Sequence, residues 1–154
     1  MIRASKNSES VLIRAPHSIR PWQHVLDSLS GYLLLGEHLL RKNQVALGAW
    51  NFGPNEKQKH TVLETCKKAR EYLPQLKWTI NEKNSFHETN TLLLNSIKAE
   101  TILKWSPTWN IDKSIEKTIE WYNEYLENGK VVSNDQLHNY FADAKQKNMI
   151  WSKN

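Results

Sequence analysis

Glycine is scarce in this chain: five in 154 residues, at positions 31, 36, 48, 53 and 129. No two of them lie two positions apart. A dinucleotide-binding turn needs closely spaced glycines so that the backbone can approach a pyrophosphate, and so that fingerprint is missing, as is a phosphate loop. Also missing is a tyrosine with a lysine one helical turn later. Tyr32, Tyr72, Tyr122, Tyr125 and Tyr140 are followed four positions on by Gly36, Leu76, Leu126, Gly129 and Ala144. The single cysteine, Cys66, excludes an internal disulfide and agrees with a reducing compartment. The longest apolar run, Tyr32 to Leu35, is far short of the ~20 residues a spanning helix needs. Mean hydropathy of −0.67 points the same way. Glycine and proline together number 10, which excludes collagen-like and low-complexity classes. No apolar segment follows Met1-Ile2-Arg3-Ala4-Ser5-Lys6, so nothing reads as a signal peptide and the cytoplasm is the expected compartment.

What is present is enough for one domain. Apolar residues make up 39% of the chain, roughly 60 side chains, which can fill a core at this size. Seven tryptophans carry more large apolar surface than disordered chains do. Net charge is 21 − 16 = +5, a balance that favours anionic ligands. The lysines are spread along the chain, and Trp105, Trp109 and Trp121 fall where they punctuate or flank a helix. Both features argue against a nucleic-acid module, whose signature would be a steep salt dependence of binding.

The pattern predicts a helix-rich chain with three or four short strands. Ser10 to Arg14 reads as a strand ending at Ala15-Pro16. Pro21 keeps Arg20 extended, and a helix starts near Asp27 or Ser28, with Leu29, Leu33, Gly36 and Leu40 stepping by three or four. Ala49 to Phe52 reads as a second strand stopped by Gly53-Pro54. Val62, Cys66, Ala69 and Leu73 form a helical stripe closed by Pro74. Leu76 to Ile80 alternates as a third strand, and Asn81 to His87 is loop. Leu92 to Leu94 reads as strand or helix start, and Ser96 as the cap of a short helix through Leu103. Asn110 caps the best helix of the chain, which ends at Gly129. A last helix runs from Asp135 to Lys147. In isolation this is an α+β pattern, and its strands are too few for a complete sheet.

Isolated chemistry is thin. His60 and Glu64 lie four apart on a helix, and His87 and Glu88 are adjacent, but neither spacing is that of a zinc module. Cys66 sits on an apolar face, which suits an inert buried thiol.

Longer motifs carry more. Arg20-Pro21-Trp22-Gln23-His24-Val25-Leu26-Asp27, followed by Ser30-Gly31-Tyr32-Leu33-Leu34-Leu35, resembles the C-terminal half of CDP-glucose 4,6-dehydratases, which are extended short-chain dehydrogenase/reductase enzymes. Ala49-Trp50-Asn51-Phe52-Gly53-Pro54, the His87-Glu88 pair, Leu103-Lys104-Trp105-x-Pro107, Thr118-Ile119-Glu120-Trp121-Tyr122 and Ser133-Asn134-Asp135-Gln136-Leu137-x-x-Tyr140 continue the resemblance in order. It covers nearly the whole chain.

The resemblance implies an α/β enzyme of Rossmann type in two domains. An N-terminal Rossmann domain would hold NAD with the catalytic Tyr and Lys, and a smaller C-terminal domain would bind the nucleotide sugar. It implies dehydration of CDP-glucose to CDP-4-keto-6-deoxyglucose and a place in lipopolysaccharide biosynthesis. Residues 1–154 are then expected to be the C-terminal nucleotide-sugar-binding portion, with 130–154 a helical tail, the Rossmann domain absent, no cofactor site or metal on this chain, and no activity alone. In relatives the arginine opening the Arg-x-aromatic block contacts the diphosphate, and Arg20 holds that position. A guanidinium fork suits phosphate oxygens. Many relatives have a second phosphate arginine three residues before the position of Glu88, where this chain has Ser85. Glu88, with His87 beside it, is expected to contact the ribose or to order the loop, and Arg14 to lie on the strand passing near the base. Trp22 and His24 serve either the ligand or packing. The expected partners are a CDP-sugar and either a separate Rossmann half or a second copy of the chain, with no membrane.

Overall fold

The computed structural model describes residues 1–55, 59–81 and 89–153. A short helix, α1 (Ile2–Lys6), leads into β1 (Ser10–Ile13), which lies parallel to β4 (Lys77–Ile80). The register runs from Ser10 opposite Lys77 to Ile13 opposite Ile80. Parallel strands need a crossover. This one carries β2 (Ile19–Arg20), α2 (Val25–Leu40), β3 (His60–Thr61) and α3 (Val62–Tyr72). β2 and β3 pair antiparallel, placing Arg20 opposite His60. Beyond β4 come α4 (Ile111–Asn128) and α5 (Ser133–Gln146).

The elements with strong local signals fall where the pattern puts them. α3 opens on a capping box: the Thr61 hydroxyl accepts from the Glu64 N–H, and the Glu64 carboxylate accepts from the Thr61 N–H. In α4 the Asn110 side chain accepts from the Lys113 N–H at 2.9 Å. Gly129 closes the helix in the left-handed region, φ 65°.

Several expectations are corrected. α2 begins at Val25, not near Asp27, because His24 is the cap and its Nδ1 accepts from the Leu26 N–H. Asp27 is committed elsewhere, in the interior. Ala49 to Phe52 pairs with no strand among the described residues. Instead its side chains dock singly: Phe52 is buried against Trp105, and the Trp50 indole donates to the Ala46 carbonyl. Ser96 caps nothing. Its hydroxyl accepts from the Gly53 N–H at 2.7 Å, while Asn95 accepts from the Ile97 N–H. A short helix does run through Leu103 as expected, widening from residue 99 into a π-helical stretch, Ala99–Leu103, and Lys104 follows at φ 55°. Leu92 to Leu94 is neither strand nor helix; Thr91 makes a single bridge to Ile19.

Two apolar clusters hold the chain together. Leu34, Phe52, Ala99, Leu103 and Trp105 form one. Ala69, Leu73, Leu76 and Ile119 form the other, joining α3, β4 and α4. Meanwhile the apolar stripe of α2 turns outward: Leu33 is 76% exposed and Leu40 86%. The buried face of that helix is Asp27, Ser30, Gly31 and Leu34. No helix among the described residues is long and apolar enough to cross a membrane.

Candidate functional site

Arg20 sits at the end of β2, partly buried. Its Nη1 donates to the carbonyls of Ile19 (2.9 Å) and Thr89 (3.0 Å). The neighbouring Trp22 indole donates to the His60 carbonyl at 3.1 Å, fixing the strand end to β3. Backbone contacts therefore set the direction of a planar cation. That suits bidentate recognition of phosphate, in which the fork must be oriented before the anion arrives.

Arg14 lies exposed just past β1. His87 and Glu88 lie outside the described residues, as do 82–86. Both flanks of that stretch are anchored beside the two arginines. The Asn81 N–H donates to the Ile13 carbonyl at 3.1 Å, one residue before Arg14. On the other side Thr89 receives the Arg20 guanidinium, and the Ile19 N–H donates to the Asn90 carbonyl at 2.8 Å. Arg14 thus lies next to the strand end that holds Asn81, on one side of the segment bearing His87 and Glu88, and Arg20 meets Thr89 on the other.

β1 runs into Arg14-Ala15-Pro16 and β4 into Asn81, so neither strand of the parallel pair is followed by a glycine turn opening a helix. No cluster of three metal-ligating side chains occurs among the described residues. Glu64 is occupied by its capping box, whose bonds from Thr61 hold its carboxyl below the usual range. Cys66 is buried, with its thiol against the Met1 sulfur at 3.3 Å. Burial pushes that thiol up, away from nucleophile behaviour.

One polar constellation escapes sequence reasoning. Asp27 is fully buried, and its Oδ1 accepts from the Tyr140 hydroxyl (2.7 Å), the Thr108 N–H (2.6 Å) and the Trp109 N–H (3.5 Å). Oδ2 has no hydrogen-bond partner among the described residues. Ser30 extends the network, accepting from the Trp105 indole at 3.0 Å. Burial raises the Asp27 carboxyl, opposed by the bonds from Tyr140, Thr108 and Trp109 and by the Lys147 charge. Burial raises the Tyr140 phenol too, and the Asp27 charge adds to it. His24, packed edge-on against Trp109 at 4.8 Å, is pushed by burial from the usual 6.5 to about 4 and is neutral. The only sequence hint was a carboxylate, Asp27, closing an aromatic-rich motif.

This fold is the one found in part of the nucleotide-sugar epimerases. UDP-glucuronic acid 4-epimerase from Bacillus cereus, solved with UDP-glucuronic acid and NAD, superposes with a TM-score of 0.66 at 16% identity, over 80% of this chain and 38% of that one. UDP-glucose 4-epimerase from Thermotoga maritima, solved with UDP-glucose, gives 0.62 at 19% identity, over 81% and 38%. No family model matches the chain. In sequence, the chain is similar to CDP-glucose 4,6-dehydratase of Salmonella typhimurium, 30% identical over 145 residues. That match takes in 92% of this chain and 40% of the dehydratase, so the chain spans about two fifths of the relative's length. The resemblance read from the motifs is borne out.

Proposed function

We propose that this chain is the sugar-nucleotide-binding portion of a protein of the CDP-glucose 4,6-dehydratase type, and that Arg20 contacts the ligand's diphosphate. The observation that carries this reading is the 145-residue similarity to the dehydratase, which runs through the Arg20 block. The oriented guanidinium of Arg20 supports it. Arg14, His87 and Glu88 are proposed as neighbouring ligand contacts, with Glu88 toward the ribose. These 154 residues contain neither the glycine turn nor the Tyr-x-x-x-Lys pair. They are therefore proposed to grip a CDP-sugar without dehydrating it, NAD belonging to other parts of the family's architecture. The test is incubation with CDP-glucose and NAD. No 4-keto-6-deoxy product is expected, and product formed by the purified chain contradicts the reading.

The outward stripe of α2 favours a second role beside the first. Val25, Leu29, Tyr32, Leu33 and Leu40 all present apolar surface on successive turns. Such a face suits a covering body, either a dinucleotide-binding half or a second copy of the chain. Light scattering on the chain alone distinguishes the second copy from the first.

A further inference from the structure

The inner side of α2, with Asp27, Ser30, Gly31 and Leu34, is buried. At about 3.6 residues per turn the opposite side carries Val25, Leu29, Tyr32, Leu33, Gly36 and Leu40, and all but the glycine are exposed. No charged side chain stands among them. Glu37 and Arg41 lie to one flank and are paired with each other at 2.6 Å. A helix that is apolar all round is one that is covered on both sides. The outer face also continues into a groove of about 440 Å³, where Leu29 and Leu33 of α2 stand across from the exposed Leu137 and Phe141 of α5. These exposed side chains together amount to roughly 800 Å², more than an ordinary monomer patch and about one partner's share of a stable interface.

The outer side reads the same from either end. Val25, Leu29, Tyr32, Leu33, Gly36 and Leu40 are separated by four, three, one, three and four positions. Laid antiparallel on itself about a two-fold axis between Tyr32 and Leu33, the helix sets Val25 opposite Leu40, Tyr32 opposite Leu33, and Leu29 opposite Gly36. The last pair also matches in size. A Cβ at Gly36 would meet nothing within 4 Å, so the glycine leaves a notch that a leucine can enter. A two-fold contact needs a surface complementary to itself, and this one is. We propose that the outer face of α2 is a dimer interface, α2 packing antiparallel on α2 of a second copy with Leu29 of each copy in the Gly36 notch of the other. The proposal rests on the covered-face reading above and names the occupant.

The experiment is sedimentation velocity on the full 154-residue chain over a concentration series, with an apolar-surface dye added in parallel. A monomer–dimer equilibrium is expected, closing at two copies. Gly36→Leu, on open surface where folding is spared, fills the notch and weakens the dimer about tenfold by overpacking. Leu29→Ala added to Gly36→Leu restores the dimer, because the two positions face each other across the axis. A dimer indifferent to Gly36→Leu, one that the double variant fails to restore, or growth beyond two copies overturns the proposal. So does a monomer at every concentration: if that monomer binds the dye, the apolar face still awaits another cover, and if it does not, the covered-face reading falls too.

Discussion

Tyr140 donates its hydroxyl to the Asp27 carboxylate at 2.7 Å across 113 positions of sequence, tying α5 to the first turn of α2. With Thr108 and Trp109 on the same oxygen, three parts of the chain converge on one buried carboxylate. Removing it takes the acceptor from the Thr108 and Trp109 N–H groups and leaves the Tyr140 hydroxyl only Ser30. Asp27→Ala is expected to destabilise the chain by about 3 kcal/mol, and Tyr140→Phe by about 1–2 kcal/mol. Urea denaturation checks both, and equal small effects would show that the network carries little.

The interior also sets a pH dependence. The folded pKa of His24 lies below its unfolded value, so the stability it contributes is present above 6.5 and is lost as pH falls through about 4. The Asp27 carboxyl is raised, so its contribution has the opposite sign: it is present below the usual carboxylate range and lost as pH rises through the folded value. The two contributions therefore change with pH in opposite senses. His24→Asn keeps a capping acceptor and removes the titration. It is expected to flatten the acid-side loss of stability measured by denaturation at a series of pH values.

Two glycines of α2 predict opposite outcomes. A Cβ at Gly31 would lie 2.3 Å from the Phe52 ring, whereas one at Gly36 meets nothing within 4 Å. Gly31→Ala is expected to cost about 1–3 kcal/mol by overpacking. Gly36→Ala should stabilise by about 0.5–1 kcal/mol through helix propensity. Thermal melts of the two variants should shift in opposite directions.

The exposed stripe of α2 gives a solution prediction. Leu33→Glu with Leu40→Glu places charge on the two most exposed leucines of that face. Any self-association of the chain seen by light scattering should fall, with the melting temperature hardly changed. Unchanged association would place the contact elsewhere.

Legibility tracked how local each signal is. The Asn110 and Gly129 ends of α4 are complete within a few residues, so spacing alone placed them; the capping box of α3 is as local, but Thr61 and Glu64 were not read as one. β2 and β3 are two residues each, too short for any alternation to show. The α2 stripe had the right period, but period cannot say which side is inside. The buried face turned out to be the one with Asp27, Ser30 and Gly31, chosen by partners at Phe52, Thr108 and Tyr140. Ala49 to Phe52 has strand composition without a strand beside it, and pairing is not a property of the segment itself. At the candidate site, Arg20 was legible from its motif. Its backbone anchors at Ile19 and Thr89 were not, since one of them comes from 69 positions away.

The most direct measurement is one NMR sample: the chain with labelled arginine, CDP-glucose and NAD. The account predicts a weak, saturable shift of the Arg20 guanidinium that Arg20→Ala abolishes, while the CDP-glucose signals persist unconverted. An unmoved Arg20, or the appearance of CDP-4-keto-6-deoxyglucose, would contradict it.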